Sequence, residues 1–224
     1  MRITLLCILF LITHCCHAES LLKNMGIKVG VCNSSLSIRE NEGRPFFGYE
    51  IEWLIRHSLT GFQAGLYKNY QLSNNFEIQP ELFYVRRGVN AATEFLFDTI
   101  DYKVKLDYLE LPVPVKGNLL ISQSIVAGVY AGPYVAVNLA AKRESRIDDV
   151  YESLVLENVK RYDYGLVLGL NTNFVIKEKQ MIFDLRYNHG LYNIMDPIKS
   201  APRVSEENGW VKNRSWIVLL GIQF

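Results

Sequence analysis

The 224-residue chain carries 24 Lys and Arg residues against 23 Asp and Glu residues, for a net charge of +1. A nearly neutral chain gives no support to nucleic-acid binding, which needs a strongly basic surface. The length suits one domain, and no residue pattern predicts a cofactor.

The first eighteen residues have the layout of a secretory signal peptide. Arg2 supplies a positive start, residues 3–12 form an apolar run, and Ala18 is a small residue at a suitable cleavage point. The apolar run is too short for a retained transmembrane helix, and no long apolar run follows it. We therefore predict a signal peptide at residues 1–18 and one exported domain at residues 19–224.

Cysteine usage is that of an exported chain without disulfides. Cys7, Cys15 and Cys16 lie inside the predicted signal peptide, and only Cys32 lies beyond it. Lipidation of Cys15 or Cys16 is an alternative to simple cleavage, but the neighbouring positions lack the small residue that the lipidation motif requires. A single cysteine forms neither an internal disulfide nor a cysteine-based zinc site. We expect Cys32 to pack as a small residue on the inner face of the fold.

Alternating apolar and polar residues predict three strands in the first half of the domain. The first strand begins at Ile27 and is interrupted by the charged residues 39–58. The second covers residues 59–72, and turn-forming residues at 72–75 join it to a third strand that begins at Phe76. Two strands joined this tightly form a hairpin.

A fourth strand is predicted at residues 103–119, after a polar connection at residues 88–101. Its apolar residues change parity after Leu106. A β-bulge near Asp107 and Tyr108 would explain the change, because one extra residue reverses the facing of every residue after it.

The fifth strand is predicted at residues 122–141, after a turn at Gly117 and Asn118. Residues 142–160 then form a charged excursion. We predict this charged excursion to be the third long loop.

Three more strands complete the chain. The sixth begins at Tyr162, and a short turn at residues 177–180 leads into the seventh, which begins at Met181. A long segment at about residues 193–213 precedes a closing strand at residues 211–224. The total is eight strands.

The connections between these strands alternate in length. Those after strands two, four and six are short, and those after strands one, three, five and seven are much longer. Outer-membrane barrels have an even number of strands, short periplasmic turns and longer outer loops. The sequence therefore predicts an all-β fold: an eight-stranded antiparallel up-and-down transmembrane β-barrel with short periplasmic turns and long extracellular loops.

With this topology, the aromatic residues of the apolar face gather at both strand ends, as expected of a surface that faces lipid. The interior of eight strands is also too narrow to hold the whole apolar row, so that row is predicted to face outward. Glycines spaced four apart on the other face, such as Gly165 and Gly169, would relieve crowding inside. The periplasmic aromatic group is Tyr70, Phe76, Phe174 and Phe224, and the outer group is Phe62, Tyr84, Tyr162, Tyr187 and Trp216.

The closing strand carries an apolar row that ends on an aromatic carboxyl terminus. This row resembles the signal that the outer-membrane assembly machinery reads on the last strand of a barrel, although any half-buried edge strand could end a protein in the same way. Its members are Trp216, Val218, Leu220, Ile222 and Phe224.

Five segments resemble the eight-stranded outer-membrane β-barrel proteins of Bacteroidetes-type bacteria, a family often labelled porin-family or PorT-like. The segments are residues 61–66, 79–82, 108–113, 131–134 and 186–191. The resemblance implies the fold and an outer-membrane location, and it brings no catalytic motif. PorT-like members are tied to a secretion system, and no segment singles out that subset.

The polar face carries charged side chains that should pair inside a narrow barrel, because an isolated buried charge is costly. A structural salt-bridge network that fills the lumen is the favoured interpretation, and a gated pore or proton path is the alternative. Glu77 and Glu81 could also form a catalytic acid and base, but no nucleophile motif accompanies them, so no enzyme is predicted. The predicted network is Glu77, Glu81, Glu110, Lys116, Asp184 and Arg186.

Other polar residues predict no site. His57 and His189 are too isolated for a metal site. Residues 51–55 are predicted to extend a strand above the membrane, with partner binding through Trp53 as the alternative. The acidic residues of the third long connection are expected to be solvated, and they are Asp148, Asp149, Glu152 and Glu157.

Two function classes remain. The leading class is a non-catalytic, monomeric outer-membrane protein that presents loops for binding, adhesion or envelope integrity, and the other is a channel for small solutes. The predicted partners are the outer-membrane bilayer and its assembly machinery, without nucleic acid. The sequence does not name an external ligand.

Overall fold

The computed structural model describes residues 23–39, 55–95, 98–122, 124–147, 150–176, 179–196 and 210–224. The predicted signal peptide and residues 51–54 of the predicted strand extension lie outside these ranges. Within them, no helix is long and apolar enough to cross a membrane. The strands are β1 (Met25–Arg39), β2 (Ile55–Lys68), β3 (Tyr70–Gln71), β4 (Phe76–Ile78), β5 (Glu81–Phe95), β6 (Asp98–Pro112), β7 (Val115–Ser122), β8 (Ile125–Ile147), β9 (Val150–Val155), β10 (Tyr162–Ile176), β11 (Lys179–Gly190) and β12 (Trp210–Gln223).

Eight of the strands in the described part of the chain close into a ring. Its order is β1-β2-β5-β6-β8-β10-β11-β12, with antiparallel neighbours throughout and β12 paired with β1. At the periplasmic end, three short strands continue longer ones: β3 continues β2, β4 leads into β5, and β7 continues β6. The break before β5 contains Pro80 and the break before β7 contains Pro114, because proline cannot donate a ladder hydrogen bond. The predicted eight-stranded up-and-down barrel is confirmed.

Several strands are longer than a bilayer requires. A transmembrane strand needs about 9–11 residues, whereas β1, β5 and β6 have 15 residues each and β8 has 23. The wall therefore continues past the membrane on the side of the long connections. We call the part below the outer aromatic row the bilayer half, and the part above it the extracellular half. The outer aromatic row is Phe62, Tyr84, Tyr187 and Trp216.

Apolar side chains face outward in the bilayer half. Leu168 is 48% exposed and Val129 and Leu220 are also exposed, while Lys28 and Arg186 on the other parity are fully buried in the lumen. Lipid can cover the outer surface, and only the lumen offers partners to charged groups. The predicted outward-facing apolar row is confirmed.

In the extracellular half, apolar side chains face the inside of the barrel and polar side chains face outward. Val104 and Leu106 of β6 are 3% and 0% exposed and lie inside the barrel, and Lys103, which precedes Val104, faces outward. Water surrounds this half, so apolar side chains gain by turning inward. The change of parity in the fourth predicted strand therefore marks the passage from lipid to water.

The predicted β-bulge is displaced to the neighbouring strand. Asp107 pairs with Ala140 of β8 but Tyr108 pairs with Asn138, so the extra residue is Leu139. Strand β6 keeps one facing throughout, and the prediction that the apolar residues on either side of Asp107 share a face was wrong. The apolar pattern had two possible causes, a bulge or a change of solvent, and the sequence of β6 does not separate them.

Two predicted connections contain strands. Residues 88–101 continue β5 and begin β6, which pair as a hairpin as far as Phe95 and Asp98. Residues 142–160 contain the end of β8 and the whole of β9, which pairs with it. The sequence predicts loops for these segments because a strand that is surrounded by water carries polar residues on its outer face.

One predicted turn is also displaced. Gly117 and Asn118 lie inside β7, where they pair with Val129 and Gly128 of β8. The strand continues to Ser122 before the chain turns back. Asn118 faces the inside of the barrel, and Gly117 faces outward beside Phe76.

Candidate functional site

Four charged side chains meet in the lumen of the bilayer half. Arg186 Nη1 lies 2.6 Å from Glu81 Oε2, and Arg186 Nη2 lies 3.2 Å from Asp184 Oδ2. Lys28 Nζ lies 2.7 Å from a carboxylate oxygen of both Glu81 and Asp184. All four side chains are fully buried. Two positive and two negative buried charges thus neutralise one another.

Tyr130 of β8 also contacts this cluster, although β10 separates β8 from the β11 strand that carries Arg186. Its hydroxyl donates to Asp184 and accepts from Arg186 Nε at 2.9 Å. Gly169 lies between Tyr130 and Arg186 in the pairing register. A Cβ atom at Gly169 would lie 2.2 Å from Tyr130 Cζ. The glycine therefore lets the ring cross β10 and reach its partners.

A further ion pair lies toward the periplasm. Lys116 Nζ is 3.4 Å from Glu77 Oε1, and both side chains are almost completely buried. Neither atom makes a hydrogen bond within the described residues. This pair is looser than the cluster around Arg186.

A second cluster fills the lumen nearer the outer end. Arg87 pairs with Glu110 and lies 3.9 Å from Asp163 Oδ2. Asn188 donates to Glu110 at 2.9 Å, and Asn213 donates to Asp163 at 2.9 Å. Side chains from β5, β6, β10, β11 and β12 thus converge on one point of the axis.

Aromatic rings pack against the buried guanidinium groups. The Arg186 guanidinium carbon lies 5.4 Å from the Phe83 ring centre and 5.3 Å from that of Tyr130. Arg87 has Tyr134 at 5.4 Å. Such cation–π contacts strengthen when water is excluded. Rings and charges thus lie side by side in the lumen.

Apolar residues close the lumen above these clusters. Leu156, Ile194 and Met195 come from the connections after β9 and β11, and all three are buried. Backbone bonds hold them in place: Ile194 N donates to Val211 O at 2.9 Å, and Lys160 N donates to Ile194 O at 2.7 Å. We call these three residues the outer cap. It packs on the inward-facing apolar side chains of the extracellular half.

All six charged residues predicted for the lumen lie inside it. The structure divides them, since Glu110 belongs to the outer cluster and the other five lie nearer the periplasm. Sequence reasoning missed Lys28, Arg87 and Asp163. Each lies on the polar parity of its strand, so the same rule of alternation could have found them.

Other predicted positions also have clear places. In the closing strand, Ile222 is half-buried and the other members of the apolar row are exposed on the outer wall. Cys32 is fully buried in the lumen. His189 lies beside Tyr187, with ring centres 6.1 Å apart. Among the described residues, no group of three or more His, Cys, Asp or Glu side chains could hold a metal ion.

Comparison with solved structures finds several similar chains at low sequence identity. Ail of Yersinia pestis, solved with the heparin analogue sucrose octasulfate, is 16% identical, covers 89% of this chain and 97% of its own, and has a TM-score of 0.40. OprG of Pseudomonas aeruginosa is 12% identical with 89% and 95% coverage and a TM-score of 0.48. Neisserial surface protein A is 12% identical with 90% and 98% coverage and a TM-score of 0.42.

Sequence comparison assigns the family. No curated protein matches this chain. The family model described as "Outer membrane protein beta-barrel domain" matches residues 21–196, which is most of the chain. The chain belongs to this family and is located in the outer membrane. The narrower identification with PorT-like proteins of Bacteroidetes-type bacteria stays a prediction.

Proposed function

We propose that this outer-membrane barrel is a non-catalytic, non-conducting protein whose extracellular hairpins serve binding, adhesion or envelope integrity. The observation that supports it best is the filled lumen. Two buried charge clusters and the outer cap lie one above another on the barrel axis. A solute would have to displace all three layers.

The extracellular half offers a rigid polar surface. Outside the barrel, Arg86 Nε lies 2.7 Å from Asp107 Oδ1, and Lys105 pairs with Glu144 on the next strand. An open cavity of about 360 Å³ lies between β5, β6 and β8, and charged side chains such as Lys103 border it. Paired strands hold these groups at fixed spacing, which favours recognition of a polar partner.

Conductance across planar bilayers tests the closed lumen. The purified wild-type barrel should give no discrete current steps, although a change in migration on a detergent gel after boiling shows that it has inserted and folded. A large porin in the same bilayer provides the positive control. Discrete steps from the wild-type protein would refute the closed lumen and support the channel for small solutes.

Replacement of the β8–β9 hairpin tests the role of the extracellular half. A variant in which a two-residue turn replaces residues 142–155 should still fold as a heat-modifiable barrel. It should fail to restore surface adhesion or resistance to detergent in a strain that lacks the protein. Full restoration by the shortened barrel would contradict the proposal. Loss of protein secretion in the deletion strain would instead support the PorT-like alternative.

We assign structural roles to the remaining predicted residues. The charge network would hold the strands in register, and the closing row that ends at Phe224 would be read by the assembly machinery. Phe224→Ala should then lower the amount of folded barrel in the membrane more than Phe76→Ala, which changes another exposed aromatic residue at the periplasmic end. Equal amounts would contradict an assembly signal.

Amino-terminal sequencing of the mature protein tests cleavage after residue 18.

A further inference from the structure

A cavity of about 400 Å³ opens at the periplasmic mouth of the barrel. Twelve of the described residues line it, and nine of these are Asn or Gln (six Asn and three Gln). Of the other three, Leu120 and Val126 are apolar and Glu77 is charged. We call this cavity the periplasmic vestibule. Its wall is therefore rich in groups that both donate and accept hydrogen bonds.

The amides come from strands all around the ring. Asn24 precedes β1 and Gln223 ends β12, while Gln180 opens β11 and Asn173 lies near the end of β10. On the other side, Asn118 lies in β7. The four that lie in strands belong to the inward-facing parity of their strands, so the vestibule is a feature of the whole mouth.

Two buried acceptors in the vestibule make no hydrogen bond within the described residues. Glu77 is 6% exposed, and the contact of its Oε1 atom is the 3.4 Å ion pair with Lys116 Nζ. Asn118 Oδ1 has no hydrogen-bond donor. Buried polar atoms in proteins normally have partners. Asn118 Oδ1, which has no partner, and Glu77, which has one distant partner, mark a place where a ligand could donate.

We propose that the periplasmic vestibule binds the end of a neutral glycan chain. A sugar hydroxyl donates and accepts at once, which matches a carboxamide in either orientation. The Glu77 carboxylate can accept bonds from two neighbouring hydroxyls of one sugar ring. The volume lies within the usual range of small-molecule sites.

The charges of the vestibule disfavour an ionic ligand. Glu77 would repel an anion, and the ammonium group of Lys116, 3.4 Å from Glu77, would repel a cation. A neutral ligand avoids both penalties. This site faces the periplasm, so it is independent of the extracellular hairpins and of the conductance of the lumen.

Calorimetric titration of the full-length barrel in detergent tests the site. The probe is the disaccharide of N-acetylglucosamine, a neutral glycan fragment, and saturable binding is expected. Asn118→Leu removes an open acceptor and narrows the vestibule, so it should weaken binding by about tenfold or more, which corresponds to about 1.4 kcal/mol. Asn90→Leu, at the extracellular end of the barrel, should bind like the wild type.

The variants separate the possible outcomes. If Asn118→Leu does not give a heat-modifiable barrel, Gln180→Leu at the rim of the vestibule takes its place with the same expected loss. Absence of saturable binding by the wild type would mean that water alone fills the vestibule, and the proposal would be overturned. Equal weakening by Asn90→Leu would overturn it as well, because the sugar would then bind elsewhere.

Discussion

The bilayer half and the extracellular half of the wall use the same strands with opposite facing. In the bilayer half of β6, Leu111 faces outward and Glu110 faces the lumen. In the extracellular half, Lys103 faces outward and Leu106 is buried. Side-chain direction alternates without interruption between them, so the strand itself does not change. Only the surrounding medium changes, from lipid to water.

The difference shows that the barrel has two kinds of interior. Inside the bilayer half, ion pairs shielded from water join strands across the lumen. Inside the extracellular half, an apolar core resembling that of a soluble protein lies above the cluster around Arg87, and the outer cap completes it. Substitutions in the two interiors should therefore act by different physical mechanisms.

The largest effect is expected from Arg186→Ala in the bilayer half. The change leaves Glu81 and Asp184 buried with Lys28 as their remaining cation in the cluster. Breaking a buried ion pair by removing one partner costs about 3–5 kcal/mol. The free energy of unfolding in urea, measured for the barrel in lipid vesicles, should fall by this amount.

A double variant sharpens this prediction. Glu81→Gln combined with Arg186→Met removes one charge of each sign, so it should recover part of the loss. Strictly additive losses would refute the direct Glu81–Arg186 interaction as the source of stability. An unchanged unfolding midpoint for Arg186→Ala would contradict a lumen packed around charges.

A smaller effect is expected from Leu106→Ala in the extracellular half. Leu106 is fully buried, and a cavity left by Leu→Ala in a packed core costs about 2–5 kcal/mol. Leu168→Ala is the matched control on the outer wall of the bilayer half, where lipid can fill the space. In urea unfolding, Leu168→Ala should lower the free energy of unfolding by roughly half as much as Leu106→Ala, or less. Equal losses would contradict the difference between a surface covered by lipid and an interior packed with protein.

The smallest effect is expected from Lys105→Ala on the outer wall of the extracellular half. Lys105 pairs with Glu144, and both side chains are partly exposed to water. Exposed ion pairs contribute about 1 kcal/mol or less. Lys28→Ala removes the same kind of charge from the lumen and should lower the unfolding midpoint several times more. Similar shifts for the two lysines would contradict the distinction between the two interiors.

The class of fold and the membrane-facing surface follow from the sequence alone. Period-two alternation fixes which residues share a face, so Leu168 and Arg186 were assigned to opposite sides from their positions alone. The same alternation placed the predicted charged residues on the inner face. These inferences depend only on the local geometry of a strand.

The pairing of the charges, the position of the bulge and the periplasmic vestibule depend on the tertiary structure. Which charges meet depends on the register between strands that are far apart in sequence, such as Lys28 with Asp184. Parity along one strand does not separate a bulge from a change of solvent, and the pairing of β6 with β8 placed the extra residue at Leu139. The periplasmic vestibule also needs the closed ring, because its amides come from strands that only the barrel brings together.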